Sequence, residues 1–225
     1  MAAGRGTRMR ELTENLPKPI LPVKSRPILE YTLENLPEEI SEVIFIIGYK
    51  GDLIKSQFGG QFKNKKISYI EQKELNGTAG AIFLAKDFVA GKFLVLMGDD
   101  LYHRSDLEKL ISNDLAILAK EVKHPERFGV LEVDEDDYLL EVVEKPTEYH
   151  TNLVNVGAYV LNKDFFNYDP VKISEKEYGL PQTLAKMAKD YKIKVVKADF
   201  WQPVGRPEDI IEAEKIIDQF SSHFK

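Results

Sequence analysis

Cysteine is absent from the chain, which excludes disulfide frameworks, cysteine nucleophiles and thiolate metal sites together. Histidine is scarce: only His103, His124, His150 and His223 occur, and no two stand four residues apart as the ligands of a zinc helix do. Any metal is therefore expected to be hard and oxygen-ligated. No apolar run approaches the roughly 18 residues that cross a bilayer, and Met1-Ala2-Ala3-Gly4-Arg5 lacks the apolar stretch of a signal peptide. A cytoplasmic protein without membrane partners is expected. Positive charge is in deficit, 31 Lys and Arg against 37 Asp and Glu, for a net −6. Affinity for a phosphate backbone comes from clustered Lys and Arg, so nucleic acid is not an expected partner. A small phosphorylated ligand in a local basic pocket stays open.

What is present is ordinary globular material. The 225 residues are 43% hydrophobic and 30% charged, enough for one domain with a real core and far from disordered or fibrous composition. Short apolar runs rich in β-branched residues read as strands at 43–47, 67–70, 93–97, 115–118, 154–161 and 194–198. Helix-like stretches fall at 28–36, 51–58, 80–87, 105–110 and 207–220. Apolar strands alternating with helices predict an α/β fold, three-layer and Rossmann-like, with a mostly parallel mixed sheet and helices on both faces. From Val130 to Val143 the rhythm changes to an inserted β-hairpin with Asp134-Glu135-Asp136-Asp137 as its solvated turn. No repeat or long linker is visible, so 1–225 is expected to be a single domain.

Chemistry concentrates in a few segments. Ala2-Ala3-Gly4-Arg5-Gly6-Thr7-Arg8-Met9 combines two glycines, a hydroxyl and an arginine, and exposed loop amides with an adjacent guanidinium suit phosphate oxygens. It is not a Walker loop, since no G-x-x-x-x-G-K-[ST] occurs. It is not a dinucleotide fingerprint either: Met9 stands where the third glycine belongs and no strand precedes it. Such a loop normally hangs from a buried strand, so either a first strand is missing here or the loop is held some other way. Leu16-Pro17-Lys18-Pro19-Ile20-Leu21-Pro22-Val23 follows, its prolines predicting an extended path that keeps Lys18 near the glycines.

These two segments together resemble the signature of the sugar-1-phosphate nucleotidyltransferase family, A-A-G-x-G-T-R-[ML] followed by P-K-P-[ML]-x-P-[VI], of the glucose-1-phosphate thymidylyltransferase or uridylyltransferase type. The resemblance continues along the chain. Gln72 to Ala81 is similar to the family's base-reading segment, with Gln72 five residues before Gly77 as in members using UTP or dTTP; an amide side chain offers a pyrimidine both a donor and an acceptor. Leu94 to Asp100 is an apolar strand ending in carboxylates, and Asp99 corresponds to the family's metal-binding aspartate. Phe128-Gly129-Val130, Val143-Glu144-Lys145-Pro146 and Asn155-Val156-Gly157 resemble its sugar-site motifs, with Glu177 as a further sugar contact.

The resemblance implies transfer of a nucleotidyl group from a nucleoside triphosphate to a sugar 1-phosphate, with UTP or dTTP and glucose 1-phosphate favoured and Mg2+ as cofactor. It implies Arg8, Lys18, Asp99 and Lys145 as catalytic residues. Ala3, Gly4, Gly6, Thr7, Gln72, Gly77 and Thr78 would bind nucleotide, Gly129, Glu144, Asn155 and Glu177 the sugar, and Asp99 the metal. Residues 1–118 would form the nucleotide half, and 119–225 the sugar half with the C-terminal helix. The motifs leave a homo-oligomer open. One motif breaks: where the family has W-x-D-[VI]-G-[TR]-P, this chain reads Trp201-Gln202-Pro203-Val204-Gly205-Arg206-Pro207. Pro203 replaces the second metal-binding aspartate. Water or Asp100 takes its place, or metal binding is weak, or the chain is a catalytically silent nucleotide-sugar-binding paralogue.

Overall fold

The structure is a computed structural model that describes residues 1–221; His223 lies outside them. The chain forms two compact units, each built from separated stretches: one from 1–73, 97–107 and 200 onward, the other from 74–96 and 108–199. A division at 118/119 therefore cuts across stretches that pack together within a unit.

In the first unit, Lys65–Glu71 is the middle strand of three, parallel to Glu42–Ile47 and antiparallel to the short Gln61–Phe62. Helix Gly51–Phe58 joins the two parallel strands and buries Ile54 and Phe58. The ring of Phe45 meets Phe58 and Tyr69 edge-on at 5.8 and 5.6 Å. The chain start answers the question of what holds the glycine loop: Ala2 makes a single parallel bridge to Ile47. Ala2 N–H donates to Ile46 O at 2.7 Å, Tyr49 N–H to Ala3 O at 3.0 Å, and Gly98 N–H to Met1 O at 2.8 Å. Three residues thus do the work expected of a strand. A second pairing sets Asp100–Tyr102 against Trp201–Pro203, and Met9, Leu21, Val23, Ile28, Tyr31, Leu101, Val204, Ala213 and Ile217 form one apolar core around it.

In the second unit a six-stranded sheet runs in the order Leu139–Glu144, Gly129–Val133, Leu153–Asn162, Ala116–Glu121, Lys194–Lys197, with Lys92–Leu96 also paired to Leu153–Asn162. The expected hairpin is its first two strands, and Asp134 Oδ1 closes the acidic turn by accepting from the N–H groups of Asp136 and Tyr138. Phe83, Phe93, Phe165 and Phe166 stack into an aromatic cluster.

The α/β class and the strand positions agree with expectation, but the balance of directions differs. Ala116–Glu121 with Lys194–Lys197 is the parallel pair of this sheet, and the other pairings described are antiparallel. Apolar runs report burial on both faces, which the long return strand Leu153–Asn162 shares with any parallel strand. Two local readings also shift. The helix expected over 80–87 occupies Gly77–Phe83. The proline segment is not extended throughout: Lys18–Ile20 makes one 3-10 turn, which Pro19 suits because its φ is already set for it.

Candidate active site

The first unit gathers Ala3, Gly4, Gly6, Thr7, Arg8, Lys18, Gln72 and Asp99. Gly6 adopts φ 66° and ψ 37°, a left-handed conformation that side chains resist. A Cβ there would stand 3.0 Å from Lys18 Cβ, so glycine is what lets the loop lie on the lysine. Gly6 O is held by Met9 N–H at 2.9 Å and Thr13 Oγ1 at 3.1 Å, and the fully buried Met9 anchors the loop in the core. Gly4, Thr7 and Arg8 stay exposed. Gln72 lies buried just past Lys65–Glu71, its N–H donating to Ile47 O at 2.8 Å.

Lys18 is a buried cation of this unit. Only 7% of its side chain is exposed, and its Nζ donates to Asp99 Oδ2 at 2.6 Å, the partner being 34% exposed. A buried ammonium needs such a partner, and residues 81 apart in sequence supply it.

Asp100 behaves differently from its neighbour. Its carboxyl accepts from Trp201 Nε1 at 3.2 Å and from Val204 N–H at 3.3 Å. Loss of water around it, reinforced by the charge of Asp99, pushes it up to about 7. Pro203 stands opposite Asp100 in register. Of the acceptor sites with which Asp100 could take over the missing metal position, two are spent on Trp201 and Val204. Among the described residues there is no group of three or more His, Asp or Glu fit to hold a metal. Asp99 offers a partly exposed carboxylate. That matches the way magnesium is often held, by one or two carboxylates plus substrate phosphate oxygens.

The second unit gathers Gly77, Thr78, Gly129, Glu144, Lys145, Asn155 and Glu177. Glu144 and Gly129 are paired across the hairpin. A Cβ on Gly129 would meet Glu144 Oε2 at 3.1 Å and Val142 Cγ1 at 3.3 Å, with Asn155 Cβ at 3.9 Å, so glycine is what lets Glu144, Val142 and Asn155 close in on this backbone. Lys145 follows with φ 44°, a left-handed value rare outside glycine, fixed by its N–H donating to Phe128 O at 2.9 Å. Its ammonium lies 3.5 Å from Glu144 Oε1. Glu177 is exposed and sits instead next to Tyr178–Gly179, the strand paired with Val171–Lys172.

The loop Asn76-Gly77-Thr78 is locked onto that same strand. Tyr178 N–H donates to Asn76 O at 2.9 Å and Leu180 N–H to Thr78 Oγ1 at 2.9 Å. Gly77, at φ 91°, would drive a Cβ to 2.4 Å from Tyr178 O. Thr78 thus spends acceptor capacity on the protein itself. Sequence reasoning passed over Tyr178 and helix Leu180–Met187, although Gly179, Pro181 and the spacing of Leu180, Leu184 and Met187 carried the signal. It also passed over Tyr159, whose hydroxyl lies 2.7 Å from Asn155 Nδ2.

Comparison with known proteins identifies the family. The family model described as nucleotidyl transferase matches residues 1–219. Bifunctional protein GlmU of Methanocaldococcus jannaschii is 38% identical over 230 residues, covering 100% of this chain and 55% of that protein. A bifunctional sugar-1-phosphate nucleotidylyltransferase/acetyltransferase of Sulfurisphaera tokodaii is 35% identical over 225 residues, covering 96% of this chain and 54% of its own length. The chain spans about half the length of these curated relatives. A solved UDP-glucose pyrophosphorylase complexed with UDP-glucose superposes with a TM-score of 0.83 at 23% identity, over 97% of this chain and 96% of that one, a likeness of fold.

Proposed function

The chain belongs to the nucleotidyl transferase family, and from that premise we propose that it transfers a nucleotidyl group from UTP or dTTP to a sugar 1-phosphate, glucose 1-phosphate being favoured. The products are the nucleoside diphosphate-sugar and pyrophosphate. The observation that carries the reading is the buried Lys18 paired with Asp99 under the glycine loop. The name of the Sulfurisphaera tokodaii relative, a sugar-1-phosphate nucleotidylyltransferase/acetyltransferase, supports the sugar 1-phosphate as acceptor class. Gln72 supports a pyrimidine base, as in family members that carry glutamine there. A cytoplasmic setting belongs to the same reading; no helix among the described residues is long and apolar enough to cross a membrane.

In the proposed reaction an oxygen of the sugar phosphate attacks the α-phosphorus while the bond to the bridging oxygen of the β-phosphate breaks. No covalent enzyme nucleophile is required, so catalysis is positioning and charge neutralisation. Amides of Gly4 to Thr7 with Arg8 hold the departing pyrophosphate. Lys18 neutralises the α-phosphate, Lys145 orients the attacking phosphate, and Glu144 with Asn155 receives sugar hydroxyls. Magnesium, held by Asp99 together with the phosphates, would supply further neutralisation of developing charge.

A second reading is favoured by one observation: Pro203 provides no carboxylate, and the Asp100 carboxyl opposite it accepts from Trp201 and Val204. In that reading the chain binds nucleotide or nucleotide-sugar without turnover. The deciding assay is magnesium-dependent pyrophosphate release with UTP, dTTP, GTP, CTP and ATP against the 1-phosphates of glucose, N-acetylglucosamine and mannose. Turnover with UTP or dTTP is expected, falling by about 10²-fold or more in Lys18→Ala or Lys145→Ala. Nucleotide binding with no turnover across the panel would select the silent paralogue, and full activity in either variant would remove that lysine from the mechanism.

A further inference from the structure

Asn155 lies on the strand Leu153–Asn162, which does not run straight past its neighbour. Between Asn155 and Tyr159 this strand advances four residues while its partner advances two, from Ala119 to Ile117. Gly157, at φ 76°, sits inside this bulge. In a regular strand the Cα atoms of residues four apart are separated by roughly 13 Å. Here the bulge brings Asn155 Nδ2 to 2.7 Å from the Tyr159 hydroxyl.

The amide is pinned at its other end as well. Gly157 N–H lies 2.9 Å from Asn155 Oδ1. A backbone N–H can only donate, so the oxygen must be on this side and the nitrogen on the side of Tyr159. An asparagine amide has two donor hydrogens and two acceptor lone pairs. One of each is spent inside the protein, which leaves one N–H and one lone pair for a ligand. Asn155 is half-buried, its Cβ 3.9 Å from where a Gly129 Cβ would stand, whereas Tyr159 is 1% exposed, its ring fixed in the sheet.

We propose that Tyr159 is a positioning residue: with the Gly157 amide it locks Asn155 in one orientation, so that the remaining donor and acceptor meet a single ring hydroxyl of the sugar phosphate. The proposal rests on the assignment of Glu144 and Asn155 to the sugar made above. A hydroxyl both donates and accepts, which fits the paired valences left on Asn155, while the adjacent Glu144 can only accept. A freely rotating amide would lose this preorganisation and bind the same hydroxyl less well. The tyrosine acts through Asn155 and takes no part in the phosphoryl chemistry.

Tyr159→Phe keeps the ring in the core and removes only the hydroxyl. The first measurement needs no substrate: the side-chain amide 15N–1H signals of Asn155, assigned by their loss in Asn155→Ala. They are expected to shift in Tyr159→Phe and to exchange with solvent about 2- to 10-fold faster, the scale of one net hydrogen bond. Unchanged signals overturn the proposal whatever the protein's reaction. The second measurement is kinetic. KM for the sugar 1-phosphate should rise about 3- to 10-fold, with kcat and the nucleotide KM held within about twofold. In an Asn155→Ala background, Tyr159→Phe should add less than about twofold. An equal effect there would mean that the tyrosine touches the ligand itself, which also overturns the proposal. Absence of turnover in the wild type counts against the proposed function, and the amide signals still decide the positioning role.

Discussion

Lys145 carries two burdens that a pair of substitutions can separate. Its backbone is left-handed at φ 44°, a conformation that costs a residue bearing a Cβ about 1–2 kcal/mol. Pro146 follows it and disfavours the right-handed helical alternative, while the N–H bond to Phe128 O holds the conformation in place. The ammonium contributes little to stability: its pairing with Glu144 is 3.5 Å long between side chains 61% and 50% exposed, a class of contact worth a few tenths of a kcal/mol. Lys145→Gly therefore relieves the strain, loses a weak ion pair, and gives back about 0.4–1 kcal/mol through the looser unfolded chain. The net expectation is a stability between unchanged and about 1 kcal/mol higher, a rise in Tm of up to about 3 °C for a chain of this length. Lys145→Ala loses the same ammonium but keeps the strain, so it should melt below Lys145→Gly. Thermal unfolding monitored by circular dichroism compares the two, and the pyrophosphate assay should find both depressed to a similar extent. If Lys145→Gly melts several degrees below Lys145→Ala, the backbone is not strained, and the idea that stability is given up here to place a charge fails.

Two further substitutions test how the local frames are held. Gly77→Ala forces a Cβ to within 2.4 Å of the Tyr178 carbonyl from a left-handed backbone, so it should cost about 3 kcal/mol and weaken nucleotide binding; a variant as stable as wild type by thermal melt would mean the loop is not clamped on Tyr178. Asp100→Ala removes a carboxyl that accepts from Trp201 Nε1 and Val204 N–H, a loss of about 1–3 kcal/mol. Because Trp201 is the chain's one tryptophan, its emission should shift, and an unchanged spectrum together with an unchanged melt would refute the role given to Asp100.

Much of this was legible in the sequence where a pattern is local and repeated. The strand 43–47 and helix 51–58 announce themselves by period, and the structure places them within a residue of those limits. Direction is not local: the apolar run 154–161 says only that both faces of a strand are buried, and the antiparallel return follows from where the chain must go next. Two-residue strands such as Val171–Lys172 and Tyr178–Gly179 are below any periodicity and exist because Gly179 and Thr183 supply the bonds between them and the next helix. The glycine loop and Lys18 were recognised by an ordered motif, yet the contact that gives the lysine its chemistry is with Asp99, 81 residues away. Asp100 shows the same limit from the other side. Its neighbour's motif suggested a metal, while its real partners lie 101 and 104 residues on.

The substitution at 203 follows a physical logic once these partners are known. Proline is tolerated in the short Trp201–Pro203 strand because the next donor, Val204 N–H, turns to Asp100 in place of a ladder partner. The carboxylates near the glycine loop are then unequal: one faces Lys18, the other faces the protein. The first unit presents the exposed Arg8 and a lysine whose charge is matched by Asp99, an arrangement that, in the proposed function, suits a triphosphate better than a bare divalent cation. A triphosphate brings oxygen ligands of its own, so a single protein carboxylate is enough if the cation arrives as the nucleotide complex. The proposed transferase survives the loss of the second aspartate on that condition, and the magnesium titration within the pyrophosphate assay reads it directly. Half-activation should move with the nucleotide concentration. A half-activation point that stays fixed as nucleotide is varied would require a metal site preformed on the protein, which one carboxylate already bound to Lys18 cannot provide.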